Sequence, residues 1–233
     1  MARLPLSPWT VRQIYGTVEE LHALLPDPHT EREVWVLLPQ NTSLVLGSTQ
    51  PDEVTGPALA GPALAGSAEV GPAVVRRRSG GAAVLLSPNN SLWVDVVISP
   101  DDPLWHEDVS VAALWLGHVW AKTLGILGAV GVQVCDSYVA GRWGSLVCFA
   151  SRGPGEVLVG GAKAVGISQR RTRTHARFQC LLYRQWLPEE LIACLAVPSP
   201  QVAALQDDLA AAVWTVASDP REVLRTFLAA LPT

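Results

Sequence analysis

The sequence has few charged residues for its length. Asp, Glu, Lys and Arg make up 16% of the 233 residues, whereas hydrophobic residues make up 49%. A disordered chain has the reverse balance, so the composition excludes that class and predicts a packed core. The formal net charge is −4. This excludes a globally basic nucleic-acid-binding protein, and no nucleic acid is expected as a partner.

Cysteine is also scarce, and its spacing matches no metal or disulfide motif. The four cysteines are Cys135, Cys148, Cys180 and Cys194, and no C-x-x-C pair occurs. A domain of this size with so few cysteines is not held by a disulfide framework, and a zinc knuckle is excluded. The histidines form no pair four residues apart on a helix, so no metal site is predicted.

No apolar run indicates a signal peptide or a membrane helix. Residues 1–9 lack an apolar segment and contain prolines where a signal peptide needs a helix. The most apolar stretch, Val109 to Val134, carries His118 and Lys122 near its centre. A lysine at mid-bilayer costs about 2.5–3.5 kcal/mol. The stretch therefore predicts a buried helix, no membrane partner and a cytoplasmic location.

The length predicts a single domain spanning residues 1–233. Within it, residues 55–72 are rich in Gly, Ala and Pro and repeat GPALA in tandem, which predicts a flexible surface loop. Strands fall into two groups with helices before, between and after them, without a regular βαβ alternation. This order predicts an α+β fold with a mostly antiparallel mixed sheet flanked by helices.

Capping signals and periodicity place the individual elements. The capping box Thr17–Glu20 begins a short first helix, and a long helix is predicted over residues 108–127. Strands are predicted over residues 33–38, 43–47, 73–78, 82–86, 92–98, 132–135, 145–149, 156–159, 163–168 and 176–183, and further helices over residues 188–196, 200–216 and 220–231. In the strand 92–98, alternate residues should lie on opposite faces.

The segment 75–84, VRRRSGGAAV, places arginines and a glycine turn between two predicted strands. Glycine lacks the Cβ that would keep an anion away from backbone N–H groups, and arginine adds bidentate donors for phosphate or carboxylate. Because consecutive strand residues alternate faces, at least one of the three arginines should point to the packed side. The segment predicts an anion site, with a solvated β-hairpin turn as the alternative.

The segment 155–169, GEVLVGGAKAVGISQ, contains a second glycine turn followed by a lysine. Lys163 alternates with Val165 and Ile167, so its side chain should share their apolar face. A lysine there is costly without an anionic partner, which makes it a candidate site residue, and snorkelling at a strand end is the alternative. The arginines between residues 170 and 177 are expected on a solvated face, where they would steer an acidic partner.

Together the two segments resemble a known enzyme family. RRRSGGAAV at residues 76–84 resembles an Arg-Arg-x-(Ser/Thr)-Gly-Gly-Gly-Ala-Val loop, and GAKAVGISQ at 161–169 resembles a Gly-x-Lys-(Ile/Val)-x-Gly-Ser-Ala-Gln strand. LVLGSTQ at 44–50 resembles an earlier Gly-x-x-Gln strand end. Their order and separation are similar to those of the biotin/lipoate protein ligase catalytic-domain family, in its lipoate–protein ligase and octanoyltransferase branch.

The resemblance implies a class II synthetase-like fold and a transfer reaction. A lipoyl or octanoyl group is attached to one lysine of a lipoyl carrier domain, in a 2-oxoacid dehydrogenase or the glycine cleavage carrier. In the ligase version, ATP with Mg²⁺ and lipoate or octanoate form an acyl-adenylate, which the carrier lysine attacks. Only 50 residues follow Tyr183. This is too few for the accessory domain of bacterial lipoate ligases, so an accessory subunit is a further expected partner.

The resemblance also assigns residues. It implies that Lys163 acts at the reacting carbonyl. The positions it assigns to acyl and nucleotide binding are Arg76, Arg77, Ser79, Gly80, Gly81, Ala82, Asn90, Gly166, Ser168 and Gln169.

The sequence departs from the family pattern at two places. Ala82 replaces the third glycine of the loop, and its Cβ narrows the space in which a ligand can approach the backbone. Leu86-Ser87 replaces a common His-Asp pair, although Asn90 is kept. These departures support an alternative in which the chain is a non-catalytic homologue that binds an acyl group or a carrier domain.

Cys148 provides a second mechanism. In one octanoyltransferase branch, a Cys-Phe pair precedes the family lysine by the same 15 residues that separate Cys148 from Lys163. Such a cysteine carries octanoyl as a thioester, accepted from acyl carrier protein without ATP or another cofactor. A thiol near an ammonium and arginines is activated as a nucleophile. The alternative is that Cys148 is a small buried hydrophobic residue.

Overall fold

A computed structural model describes residues 8–56, 59 and 71–233. Strands are β1 Thr10–Gly16, β2 Arg32–Pro39, β3 Ser43–Leu46, β4 Ala73–Arg76, β5 Val84–Leu86, β6 Ser91–Ile98, β7 Val132–Val134, β8 Val157–Val159, β9 Ala162–Arg171 and β10 Ala176–Tyr183. Helices include α1 Val18–Ala23, α2 Leu114–Ile126, α3 Pro188–Ala193, α4 Ser199–Ala210 and α5 Pro220–Ala230, with 3₁₀ turns at Asp52–Val54 and Cys148–Ala150. Most of the predicted loop 55–72 lies outside the described residues.

The strands form two sheets. The larger has seven strands in the order β1-β2-β6-β10-β9-β8-β7, and the smaller has three in the order β4-β3-β5. Only the pairs β1–β2 and β3–β4 are parallel among the described strand pairs. The predicted α+β class, with a mostly antiparallel mixed sheet flanked by helices, is confirmed. Within the described part of the chain, no helix is long and apolar enough to cross a membrane.

The alternation predicted for residues 92–98 is confirmed, because β6 divides its side chains between two cores. Leu92, Val94, Val96 and Ile98 pack into a cluster with α2 and α5. The intervening side chain of Trp93 packs on the other side, with residues of α1 and the smaller sheet. The larger sheet is therefore covered on both faces, by helices on one side and by the smaller sheet and α1 on the other.

The predicted capping box is present and begins α1. The Thr17 hydroxyl accepts a hydrogen bond from the backbone N–H of Glu20, and the Glu20 carboxylate accepts one from the N–H of Thr17. The free N–H groups of the first turn are thereby satisfied. This short helix lies against the sheet through Val18 and Leu21, which are both buried.

Several sequence predictions of elements were wrong in extent or type, including the helix predicted over 188–196, which ends at Ala193. Residues 145–149 are not a strand, because residues 143–147 turn back on themselves and only Val147 bridges to Ala83. The long helix begins at Leu114 rather than at residue 108, because the Asp108 side chain binds the Ser110 N–H and holds a turn. The helix predicted over 200–216 ends at Ala210. Strand β1 was not predicted.

Candidate functional site

Two adjoining depressions lie between the larger and the smaller sheet. The first, here called the apolar cavity, holds about 420 Å³, part of it open to solvent, and is walled by side chains that include Val84, Leu86, Trp93, Phe149 and Leu181. The second, here called the cleft, is wider, holds about 890 Å³ and contains Gly80 and Gly81. Cys148, Ile167 and Ser168 line both. The two predicted motif segments therefore meet where the apolar cavity opens into the cleft.

A direct contact joins the two motif segments. The Ser79 hydroxyl lies 3.1 Å from the Ser168 hydroxyl and donates to the Gln179 side-chain oxygen at 2.7 Å. Ser79 is 2% exposed. Because the Gln179 oxygen is a shared acceptor, it fixes both hydroxyls in one position.

The glycine turn is shaped by close packing. Gly81 has a φ of 102°, and a Cβ there would lie 2.5 Å from the Arg77 guanidinium. A Cβ on Gly47 would lie 1.7 Å from the Gly81 carbonyl oxygen, so the turn also packs backbone to backbone. The Arg77 guanidinium donates to the carbonyls of Gly80 and Ala82 and holds the turn from inside. Residue 81 therefore has to be glycine.

The side chains of the three consecutive arginines point to different sides, as the alternation predicted. Arg77 is buried, whereas Arg76 and Arg78 are exposed. Arg76 donates to the carbonyls of Gly47 and Gln50 and pairs with Asp52, so it braces the end of β3 and lies outside both depressions.

Lys163 lies on the face opposite to the predicted one. It pairs with Leu158, whereas Val165 pairs with Val157, so β9 has one extra residue, Ala164, at a β-bulge. Ala164 and Val165 both pack into the helix-side core. The extra residue shifts the alternation, and Lys163 points to the site side of the sheet instead of sharing the face of Val165.

The buried Lys163 ammonium has three partners. It forms an ion pair with Glu156 at 2.7 Å, donates to the Cys148 carbonyl at 2.8 Å, and lies 5.1 Å from the centre of the Phe149 ring. Lys163 is 2% exposed. A buried ammonium needs such compensation, because removal from water without it is very costly. The cation is thus held behind Cys148, and Lys163 itself is not among the residues that line either depression.

Cys148 occupies the boundary itself. Its sulfur lies 3.9 Å from the Arg77 guanidinium and would lie 3.4 Å from a Cβ on Gly81. Burial raises the pKa of the Cys135 and Cys180 thiols, which disfavours their thiolates. The Arg77 guanidinium therefore provides a positive charge close to the Cys148 sulfur.

The remaining predicted positions divide between the site and its surroundings. Gln169 lines the cleft. Gly166 lines the apolar cavity, where a Cβ would lie 3.1 Å from the Phe149 ring. Ala82 is buried and contributes its carbonyl to Arg77. Asn90 lies elsewhere: its side chain binds backbone groups of Ser87 and Leu85 within a turn.

Sequence reasoning missed Glu156, His22 and Gln179. Glu156 binds the N–H groups of Gly153 and Ile167 in addition to Lys163, so it fixes three segments at once. One signal could have found it, since a buried lysine requires an anionic partner and Glu156 is the acid in the same predicted hairpin. No pattern in the sequence indicates His22 or Gln179, because tertiary contacts alone bring them to the cavity.

Arg177 corrects a further prediction, since it does not lie on a solvated face. It is 3% exposed and pairs with the fully buried Asp95 at 2.6 Å. It also donates to the carbonyls of Leu21 and Leu24 at the end of α1. This ion pair therefore fastens α1 to the site side of the sheet.

His22 projects from α1 onto the wall of the apolar cavity. Its ring lies 4.5 Å from the Trp93 ring, and its Nδ1 lies 3.2 Å from the Gln179 amide nitrogen. Burial, followed by the nearby charges of Arg77 and Arg177, lowers the pKa of His22 to about 3. The imidazole is therefore neutral at physiological pH.

Comparison with solved structures shows the fold that these elements form. A bipartite lipoate–protein ligase from Thermoplasma acidophilum, described together with its E2 lipoyl domain, has a TM-score of 0.71 at 15% identity, over 96% of this chain and 82% of that one. Lipoate–protein ligase A bound with ATP has a TM-score of 0.66 at 15% identity, over 96% and 83%. A T. acidophilum lipoate–protein ligase-like protein with bound lipoic acid has 0.66 at 14% identity, over 96% and 84%.

Sequence comparison agrees with this fold. The model of the biotin/lipoate A/B protein ligase family matches residues 65–183, just over half of the chain. No curated protein matches the sequence significantly. The matched region contains both motif segments, together with Glu156 and Gln179.

Proposed function

The chain belongs to the biotin/lipoate A/B protein ligase family, and from this membership we propose that it attaches a lipoyl or octanoyl group to a lysine of a lipoyl carrier domain through an acyl-adenylate. The observation that carries the proposal is the placement of Lys163. Its ammonium is buried directly behind Cys148, which lines both the apolar cavity and the cleft, and it pairs with Glu156 on the cleft wall.

The apolar cavity suits an acyl chain. Its walls are aliphatic and aromatic, with Val84, Leu86, Phe149 and Leu181 among them. Each buried CH₂ group contributes about 0.8 kcal/mol, so a chain of eight carbons gains substantial affinity there. The carboxyl end of such a chain would then lie towards Cys148 and Ser168, where the cavity meets the cleft.

The cleft suits the phosphates of ATP. The turn Gly80–Gly81 lets backbone N–H groups approach an anion, and Arg171 lines the opposite side. Mg²⁺ commonly reaches such sites with the nucleotide and is held by one or two carboxylates in addition to phosphate oxygens. Glu156 is the carboxylate that lines the described part of the cleft, but its oxygens already bind Lys163 and the N–H groups of Gly153 and Ile167, so it does not fit that role.

The positive charge of Lys163 would stabilise the transition states of both reaction steps. In the first step, a carboxylate oxygen of the acyl group attacks the α-phosphorus of ATP, and pyrophosphate leaves. In the second, the carrier lysine amine attacks the acyl carbon, and AMP leaves with the electron pair of the broken C–O bond. Negative charge develops on oxygen in both transition states, and a preorganised ammonium stabilises it. Glu156 positions this ammonium.

The partner we propose is a lipoyl carrier domain, with an accessory subunit as a further partner. The T. acidophilum ligase, which shares the fold, is bipartite and was described together with its E2 lipoyl domain. Arginines cluster beside the cleft: burial, then the charges of Arg78 and Arg177, lower the pKa of Arg170. Such a basic rim would steer an acidic carrier.

Substitution of the chain's two lysines tests the ligase mechanism. Lys163→Met should lower lipoate-dependent exchange of pyrophosphate into ATP by about 10²–10³-fold. Lys122→Met, at an exposed position of α2, should leave it unchanged. If Lys163→Met does not fold because Glu156 is left unpaired, the double variant Lys163→Met/Glu156→Gln removes both charges. Wild-type rates in the Lys163 variants would refute the proposed role.

A second mechanism is favoured by the position of Cys148, whose sulfur lines both depressions. The thiolate would attack the thioester of octanoyl-acyl carrier protein and release the carrier thiol, and the lysine of the lipoyl domain would then displace Cys148. Octanoyl transfer without ATP that is lost in Cys148→Ser, but retained in Cys135→Ser, would establish this route. Carrier binding without transfer under either condition would indicate a non-catalytic homologue.

A further inference from the structure

One row of residues crosses three neighbouring strands and forms the floor of the apolar cavity. Gly166 on β9 pairs with Leu181 on β10, and Leu181 pairs with Trp93 on β6. Residues that pair in this way share one face of a sheet, and all three line the cavity. The cavity therefore runs across the strands, from β9 to β6.

The two ends of this row differ. At the β9 end, Ile167 and Ser168 line the cleft as well as the apolar cavity, so the cavity is open there. At the β6 end, Trp93 is 3% exposed and lines the apolar cavity but not the cleft. The next residue of the row, Leu37 on β2, is buried and does not line the cavity. Trp93 is therefore the last side chain of the floor.

Two contacts hold the Trp93 indole in place. Its Nε1–H donates to Asp95 at 2.7 Å, and Asp95 is fixed in turn by Arg177 at 2.6 Å. The His22 ring packs against the indole, with 4.5 Å between the ring centres. Because a buried and fully paired network of this kind is rigid, the indole forms a fixed wall.

The length of the row matches a chain of eight carbons. Adjacent strands lie about 4.8 Å apart, so the distance from β9 across β10 to β6 is about 10 Å. A zigzag of eight carbons joined by single bonds of about 1.5 Å extends over about 9 Å. A chain whose carboxyl group lies at the open end thus reaches Trp93 with its last carbons. Two further carbons would add about 2.5 Å and collide with the indole.

We propose that Trp93 is the residue that limits the length of the acyl chain, because it closes the apolar cavity after about eight carbons. The inference rests on the proposed function, since it takes the cavity to be the acyl site. Lipoyl and octanoyl groups have chains of equal length, and both end against the indole. A longer chain would have to displace the indole from Asp95 and His22, with a loss of affinity.

Binding of saturated acids to the full chain tests the proposal without turnover. Isothermal titration would compare octanoate, decanoate and dodecanoate. The wild-type chain should bind octanoate most tightly. In Trp93→Leu, which shortens the wall, decanoate should bind about tenfold more tightly than octanoate, because two more CH₂ groups are then buried.

Trp93→Phe and Trp35→Phe form a matched pair. Both replace a buried indole on the same side of the sheet whose Nε1–H binds a carboxylate, but Trp35 does not line the cavity. Trp93→Phe should reduce the preference for octanoate over decanoate about fourfold, as expected for one more buried CH₂ group. Trp35→Phe should keep the wild-type preference. The milder variant keeps the test decisive if Trp93→Leu does not fold.

The outcomes separate this proposal from the proposed function. If dodecanoate bound to the wild-type chain as tightly as octanoate, the cavity would continue beyond Trp93, and the inference would be overturned while the acyl site stayed intact. An unchanged preference for octanoate in the folded Trp93 variants would overturn it as well. If none of the acids binds to the wild-type chain, the assignment of the cavity as an acyl site fails, and both proposals fail with it.

Discussion

The two faces of the seven-stranded sheet are built on different principles. The face under α2 and α5 packs a large cluster of hydrophobic side chains, in which the Trp120 and Phe227 rings stack at 4.1 Å between centroids. Its nearby buried ion pair, Arg32–Asp102, lies at the first residue of β2. This face gains its stability from apolar area removed from water.

The opposite face instead buries charged and polar side chains in the middle of the sheet. The ion pairs Lys163–Glu156 and Arg177–Asp95 are almost fully buried there, and Gln179 links the hydroxyls near them. Buried ion pairs contribute little net stability because desolvation offsets their attraction. Groups retained in this arrangement are therefore candidates for chemistry, whereas the helix-covered face serves to hold the sheet together.

Truncation of a large buried side chain on the helix-covered face should strongly lower stability. Phe227→Ala is expected to lower the free energy of unfolding by about 3–5 kcal/mol, because it removes a buried ring and leaves a cavity beside Trp120. Urea denaturation measures the change, and Ile126→Ala, at a position 63% exposed on α2, should change it little. The folded variant should bind octanoate with the affinity of the wild-type chain. Weakened binding would mean that the faces are coupled.

Removing one charge from the site face should destabilise the chain by a similar amount. Arg177→Met leaves Asp95 buried and unpaired and takes donors from the α1 carbonyls, so we expect a loss of about 3–5 kcal/mol in urea denaturation. The double variant Asp95→Asn/Arg177→Met should be more stable than the single one, because it no longer buries an unpaired charge. If the free energy of unfolding of Arg177→Met lay within about 1 kcal/mol of the wild-type value, as for a surface substitution, this account would be contradicted.

The glycine turn gives a matched pair of substitutions. A Cβ on Gly81 would collide with the Arg77 guanidinium and require a φ of 102°, whereas one on Gly80 has no neighbour within 4 Å. Gly81→Ala should therefore cost about 1–3 kcal/mol of stability and displace Arg77. Gly80→Ala should cost much less. Equal thermal unfolding of the two variants would show that the turn adapts and that its shape is not set by Arg77.

His22 should make the site face sensitive to acid. Its pKa is lowered from 6.5 to about 3 in the folded chain. Unfolded chains therefore bind a proton first, and stability is lost as the pH falls below about 6.5. At pH 5 this loss amounts to about 2 kcal/mol. His22→Phe should flatten the fall between pH 7 and 5 in urea denaturation, and His118→Phe should not. Identical profiles for wild type and His22→Phe would contradict the burial of this ring.

Much of the fold could be predicted from local signals. The capping box at Thr17 and the alternation in β6 are confirmed, because hydrogen-bond caps and two-residue periodicity are properties of neighbouring residues. Residues 145–149 were misassigned as a strand because apolar character alone does not distinguish a strand from a turn that is buried by other elements. Strand β1 was missed because its pattern is weak and largely exposed.

The candidate site was only partly predictable. The arginine–glycine segment and Lys163 follow from residue type and order, but the alternation rule put Lys163 on the wrong face because the bulge at Ala164 is invisible in the pattern. Arg177 was expected in solvent because an arginine-rich segment usually lies there. Its true partner, Asp95, is 82 residues away along the chain.

Composition, capping and residue order were sufficient to determine the fold class, most of the elements and the two segments that meet at the candidate site, because these depend on neighbouring residues and on total apolar content. Tertiary structure alone decided which face Lys163 occupies, that Arg177 pairs with Asp95, and that His22 lies on the wall of the apolar cavity. The physical reason is that strand register and contacts between distant segments set these positions, and neither is encoded in any single stretch of the chain.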